Sequence, residues 1–186
     1  QRFTQDILNN FRRIETDADG ADGYEADEIE DRDPGSFTDA NELLGRDTDN
    51  DGTDEIEIEY DLNGNTTCTD DTPGGGAGGR LIKYRYDAWN RLIAIDHEAG
   101  ESTYPVAAYQ YNALHHRVVV RVDQNPEDST HTFNQQRVLY YSPAWQVLEE
   151  RIDDDWSPSG GTVDRHVQHV WGALYIDDII LHREDG

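Results

Sequence analysis

Tyr84-Arg85-Tyr86-Asp87-Ala88-Trp89-Asn90-Arg91-Leu92 returns as Tyr109-Gln110-Tyr111-Asn112-Ala113-Leu114-His115-His116-Arg117. The same pattern stands earlier as Tyr60-Asp61-Leu62-Asn63-Gly64-Asn65 and, in weaker copies, from Phe37 to Leu43 and from Gln5 to Phe11. A degenerate copy runs from Tyr141 to Val147. The units begin at residues 5, 37, 60, 86, 111 and 141, so the steps are 32, 23, 26, 25 and 30 residues. A period of that size signals one supersecondary unit per repeat.

The flanks of each unit identify it. Ile56, Ile58 and Tyr60 fall on one face of a two-residue period and Glu55, Glu57 and Glu59 on the other. Leu92, Ala94 and Asp96 alternate in the same way with Ile93, Ile95 and His97. The runs 118–122 and 137–141 are rich in β-branched and aromatic residues, as strands are. Between paired runs lie Asn63-Gly64-Asn65, Asp87 to Asn90, and Asn112 to His115. Asp and Asn cap turns through their side chains, and Gly or Asn accepts the left-handed backbone of a tight hairpin. Each unit therefore reads as strand, turn, strand. The expected fold is all-β, with antiparallel β-hairpin repeats winding as a ribbon, and no amphipathic helix of useful length is evident.

Charge divides the 186-residue chain, whose formal net charge is −25. Residues 1–79 carry 23 acidic and five basic side chains, and residues 80–186 carry 17 and ten. The first part reads as acidic, degenerate repeats with long loops, and the second as the regular repeat region of one continuous domain. Asp17 to Gly35 has few apolar anchors and reads as a mobile loop. So acidic a chain is not expected to bind nucleic acid or an anionic membrane surface through its general field. No run approaches the roughly 20 apolar residues of a membrane span. The single cysteine, Cys68, reads as a lone loop thiol, and the absence of Met makes Gln1 read as an internal point of a longer product.

The repeat resembles the Rhs/YD-repeat family, whose unit is roughly Tyr-x-Tyr-Asp-x-x-Gly-Arg-Leu. Tyr84, Tyr86, Asp87, Arg91 and Leu92 match that unit, with Asn90 where Gly is usual; Tyr60, Asp61 and Gly64 match it again, and Tyr109, Tyr111 and Arg117 carry it into the next copy. The stretches 138–153 and 169–181 are similar to the region upstream of the core in bacterial, planctomycete-like Rhs proteins. The resemblance implies a hairpin ribbon forming a hollow shell that encloses a toxin, or part of a large secreted or cell-surface protein. The family's self-cleaving core would follow Tyr175 to Asp178; its Asp-Pro-x-Gly signature does not occur up to Gly186, so neither protease nor toxin activity carries over to these residues.

Candidate sites are few. Asp47, Asp49, Asp51, Asp54 and Glu55, with Gly52 at the bend, place carboxylates as an oxygen cage for Ca²⁺ requires. The competing reading is a plain acidic turn, because the twelfth position is Ile58 and no helices flank the loop. Asp17, Asp19 and Asp22 form a poorer copy. Gly74 to Gly79 lacks the Lys-Ser/Thr ending of a phosphate loop and reads as a flexible hairpin connection. His166 and His169 are three apart and would point to opposite faces of a strand, so they do not jointly grip a metal. Glu149-Glu150 and Asp177-Asp178 likewise diverge, and nothing supplies an oriented nucleophile. Four Trp and ten Tyr suit cross-strand packing or a carbohydrate platform. The resulting expectation is a non-enzymatic structural or interaction module, self-associating through strand edges and possibly forming a fibre. Its expected partners are copies of itself, flanking segments of a longer Rhs chain, or carbohydrate. The alternatives are a fragment of a toxin-enclosing shell and a Ca²⁺-dependent adhesion or glycan-binding module.

Overall fold

The computed structural model describes residues 2–5, 11–16, 28–31, 37–38, 40, 42–47, 54–71, 80–125, 131–172 and 179–185. Among these residues every regular element is a strand. The first three strands, β1 (Arg2–Gln5), β2 (Phe11–Thr16) and β3 (Glu28–Asp31), form an antiparallel sheet in sequence order. The loop expected from Asp17 to Gly35 is thus interrupted by β3, whose backbone pairs Ile29 with Glu15. One apolar residue between acids was too little signal to mark a strand.

The next eleven strands form one antiparallel meander, each paired with its sequence neighbours. These are β4 (Gly45–Arg46), β5 (Ile56–Tyr60), β6 (Thr66–Asp70), β7 (Leu81–Tyr86), β8 (Leu92–Ala99), β9 (Ser102–Tyr111), β10 (Arg117–Val122), β11 (Gln135–Tyr141), β12 (Val147–Asp153), β13 (Arg165–Trp171) and β14 (Ile179–Asp185). The fold is the all-β hairpin sheet that the alternation implies. By contacts the chain divides into Gln1–Lys83 and Tyr84–Gly186.

In the first unit, Ile56, Ile58 and Tyr60 are half-buried while Glu57 and Glu59 face solvent, the alternation expected of a strand with one covered face. Cys68 is not in a loop: it lies mid-strand on β6, 3% exposed, opposite Lys83. Burial pushes its thiol above the ordinary cysteine range.

In the second unit the core is thin. Ala94, Ala107, Ile152 and Val167 are its buried apolar side chains among the described residues. Small residues meet across β8 and β9, where Ala94 pairs with Ala108 and Ile95 with Ala107. Trp89, Leu114, Trp145, Ile180 and Leu181 all remain more than half exposed. A single sheet with so little covered apolar surface has not completed the two-layer packing by which domains are stabilised.

The turns repeat one geometry. Five begin with a short oxygen-bearing residue: Thr38, Asp61, Asp87, Asn112 and Ser142. In each, that residue's backbone N–H donates to the carbonyl four residues on, at 2.8–3.0 Å. Its side-chain oxygen then accepts the N–H groups two and four residues on. For Asn112 Oδ1 these come from Leu114 (2.9 Å) and His116 (3.0 Å); for Asp87 Oδ1 they come from Trp89 (2.9 Å) and Arg91 (3.0 Å). The fourth turn residue is left-handed: Gly64 (φ 80°), Asn90 (64°), His115 (66°) and Trp145 (68°). Glycine and asparagine tolerate that region, whereas a side chain with Cβ otherwise strains it by about 1–2 kcal/mol. Gly64→Ala is expected to cost about 1–2 kcal/mol in urea unfolding, since its new Cβ would also meet Glu42 Oε1 at 3.2 Å. His115→Gly is expected to leave stability unchanged or raise it, the strain relieved offsetting glycine's larger unfolded-state entropy.

Candidate functional site

The residues singled out by the repeat converge on the hairpin edge of the sheet. Each turn-capping residue follows an aromatic one, at Phe37, Tyr60, Tyr86, Tyr111 and Tyr141. Register shifts fall at this step in five places, at Gln5, Tyr60, Tyr111, Tyr141 and Trp171, the extra residue lying each time on the following strand. Such a bulge increases the local twist of the pair. At three of these steps the tyrosine reaches the preceding hairpin: Tyr60 donates its hydroxyl to the Leu43 carbonyl (2.9 Å), Tyr111 to Leu92 (2.8 Å) and Tyr141 to Arg117 (3.0 Å). Trp171 does the same with its indole N–H, donating to Val147 at 2.7 Å. Every acceptor stands five residues after its own turn's capping residue, so in these four places a hairpin is fixed to the one before it. Trp171 occupies the repeat position 30 residues after Tyr141, a unit that the Tyr-Asp pattern alone does not reveal.

Charge completes these ties. Arg91 donates Nε–H to Asp87 Oδ2 (2.7 Å), and its guanidinium lies 4.6 Å from the Tyr111 ring centre and 5.3 Å from that of Trp89. Hydrogen bonding from Arg91 holds the Asp87 carboxyl below its ordinary range, and hydrogen bonding from Asn65 does the same for Asp61. Arg117 stacks on Tyr109 at 4.2 Å. Tyr84 and Tyr86 are half-buried on β7. Between two successive turns, Trp89, Arg91, Tyr111, Asn112, Ala113 and His115 line a surface groove of about 330 Å³. Its walls are a cation already paired with Asp87, amide and imidazole edges, and an indole that is 68% exposed. Such a surface suits contact with a planar or apolar group and offers no activated nucleophile.

The opposite edge carries the acids. Asp153, at the end of β12, is 6% exposed, and its carboxylate lies with those of Asp155 and Asp164 so that one oxygen from each falls within 4.8 Å of the others. The Asp155 N–H donates to Asp153 Oδ1 (3.3 Å), and the Asp154 N–H donates to Asp164 Oδ2 (2.8 Å). Gly161 packs against the Asp153 carboxylate, which a side chain at that position would displace. Burial, then the proximity of Asp155, raises the Asp153 carboxyl above its ordinary range. Next to it Asp154 is lowered, chiefly by Arg165, whose Nε–H it accepts at 2.7 Å.

A raised carboxyl means that the folded chain holds a proton more tightly than the unfolded one. The Asp153 penalty is therefore absent below the ordinary Asp range and grows as pH rises through the raised value. Asp87 and Asp154 act in the other direction: they contribute stability above the ordinary Asp range, lost as pH falls through their lowered values. In the presence of a chelator at neutral pH, Asp153→Asn is expected to raise the melting temperature. An unchanged or lower value would show that the carboxylate charge is not repelled there.

The loop acids expected to hold Ca²⁺ lie elsewhere. Asp47 is buried at 8% exposure, Asp54 packs against Gly45, and Glu55 donates its backbone N–H to the Arg46 carbonyl at 2.9 Å. Asp49, Asp51, Asp17, Asp19, Asp22, Gly74 to Gly79, and Asp177-Asp178 lie outside the described residues. His166 and His169 have different neighbours, the first near Glu149 at 3.6 Å and the second near Glu150 at 3.3 Å. No helix of the described residues is long and apolar enough to cross a membrane.

No family model and no curated protein sequence matches the chain. Solved structures do. The crystal structure of TcdB2-TccC3 matches at TM-score 0.58 and 13% identity, over 84% of this chain and 8% of that one. A Photorhabdus luminescens Tc holotoxin pore carrying a mutant TccC3 matches at TM-score 0.58 and 12% identity, over 85% and 8%. The TcdB2-TccC3-TEV crystal structure matches at TM-score 0.57 and 15% identity, over 91% and 8%. At such identities the likeness is one of fold, an Rhs-like antiparallel sheet. This chain spans only 8% of the length of each of these structures' chains.

Proposed function

We propose that the chain is a non-enzymatic structural and interaction module of a secreted or cell-surface protein, a length of hairpin ribbon that works by pairing its strand edges. One observation carries this reading: β14 closes the sheet order with its outer edge paired to no described strand, and all seven of its residues are exposed, Ile179, Ile180 and Leu181 among them. An exposed strand of that length with apolar residues is a template for another strand. At the other end β4 has only two residues, a poor template. Pairing of β14 with β14 of a second copy gives a closed two-fold dimer, while any head-to-tail pairing would propagate into a fibre.

A second reading is favoured by the fold likeness to chains of Tc toxin structures: the same ribbon as one segment of a toxin-enclosing shell, its edges covered by neighbouring repeats. Light scattering on the chain, with millimolar Ca²⁺ and again with EDTA, tests the first reading. A mass above that of one 21.2 kDa chain in both conditions supports edge pairing. Loss of the assembly in EDTA would assign it to Ca²⁺ bridging through acids such as Asp153, Asp155 and Asp164. A monomer in both would favour the shell segment.

A further inference from the structure

The register of β13 and β14 puts His169 directly opposite His182. Their Nδ1 atoms are 3.3 Å apart, with the rings tilted by 50° and their centres 5.0 Å apart. On its other side, the His169 ring brings Nε2 to 3.3 Å from a carboxylate oxygen of Glu150, on β12. His169 is half-buried and His182 exposed.

Two imidazole nitrogens aimed at each other at this separation have two occupants available, a shared proton or a metal ion. Zinc–imidazole bonds of about 2.0–2.1 Å at a tetrahedral angle place two ligand nitrogens about 3.3–3.4 Å apart. The observed 3.3 Å matches that spacing. Glu150 supplies the remaining feature of a histidine metal site, a carboxylate accepting the far N–H of a ligating ring. When Glu150 accepts from Nε2–H, neutral His169 turns its Nδ1 lone pair toward His182. In the metal-free chain a neutral His182 donates Nδ1–H into that lone pair; a metal entering between the rings requires His182 to carry its proton on Nε2 instead, so both ligands stay neutral imidazoles.

We propose that His169 and His182 form a cross-strand site for a borderline divalent cation of the Zn²⁺ type, with Glu150 as a positioning residue and water at the open positions. Imidazole nitrogen suits Zn²⁺ and its neighbours, whereas Ca²⁺ and Mg²⁺ prefer oxygen, so this site is chemically separate from the acidic clusters. The site joins β14, the exposed edge strand, to β13, and an occupied site would anchor the edge on which pairing depends.

Calorimetric titration of the full chain with Zn²⁺, in excess Mg²⁺ to saturate the oxygen-rich acids, tests the proposal. One equivalent should bind. His169→Ala and His182→Ala should each abolish that binding. Glu150→Ala should weaken it by about 10–100-fold, as loss of such an orienting group does. His115→Ala, on the hairpin edge, should bind as the parent does. His182 is exposed, so its variant is expected to keep the parent's far-ultraviolet dichroism, which is recorded alongside. Absence of binding by the parent, or unchanged binding by a correctly folded His182→Ala, would overturn the proposal and leave the pair as a hydrogen bond.

Discussion

Truncating Ile152 to alanine is expected to cost about 2–5 kcal/mol, the usual penalty for emptying a buried aliphatic site. Ile152 is 3% exposed near the C-terminal end of β12, and the other buried apolar side chains described in its unit are alanines and one valine. Little else is present to relax into the cavity, and little else contributes comparable burial. In a chain of this size each kcal/mol corresponds to about 2–4 °C of melting temperature, so the loss is readable in a thermal scan. Parent and variant must be compared at one protein concentration, because an associating chain has a concentration-dependent melting point. A loss below about 1 kcal/mol would show that the sheet draws its stability from elsewhere, and the thin-core account would fail.

Asn112→Ala is expected to cost about 1–3 kcal/mol, from two backbone N–H groups, those of Leu114 and His116, deprived of their acceptor at about 0.5–1.5 kcal/mol each. The same change removes the Asn112 amide from His116 Nδ1 (3.2 Å). His116 is 5% exposed, stacked on Tyr141 and edge-on to Trp145, so the loss reaches the neighbouring hairpin. The chain contains its own substitution series: Thr38, Asp61, Asp87, Asn112 and Ser142 accept the same two N–H groups in successive turns. Asn112→Ser and Asn112→Asp should therefore retain most of the stability that Asn112→Ala loses. Equal losses in urea unfolding for all three variants would show that the oxygen acceptor is not what holds the turn.

The turns were legible in the sequence because their chemistry is local. A capping oxygen, an aromatic before it and a left-handed residue three positions after it lie within five residues, so the frame at Tyr60, Tyr86, Tyr111 and Tyr141 could be read without knowing which strands pair. Features that depend on register or on a closed loop could not. Cys68 looked like a loop residue because threonines and acids surround it, yet its side chain alternates onto the covered face of β6. The dense acids from Asp47 to Glu55 drew attention as a cation loop, whereas Asp164 comes beside Asp153 and Asp155 only when the loop between β12 and β13 folds back. His169 and His182 are thirteen residues apart, and only the pairing of β13 with β14 makes them partners. Trp171 escaped the repeat because indole replaced phenol while the hydrogen bond to the preceding hairpin stayed the same.

The tyrosine ties and turn caps join hairpins within each unit, and the exposed edge strand leaves the second unit open to a neighbour. Ile180 is 66% exposed on β14, where a lysine would be carried without disturbing the core. Charged side chains on an edge are a means by which proteins prevent strand addition. The most direct measurement is the solution mass of the Ile180→Lys variant beside that of the parent, by light scattering at matched concentration. The account predicts a parent heavier than one chain and a variant reduced to the 21.2 kDa monomer with its strand content intact. A parent already monomeric, or a variant that assembles as the parent does, would contradict it.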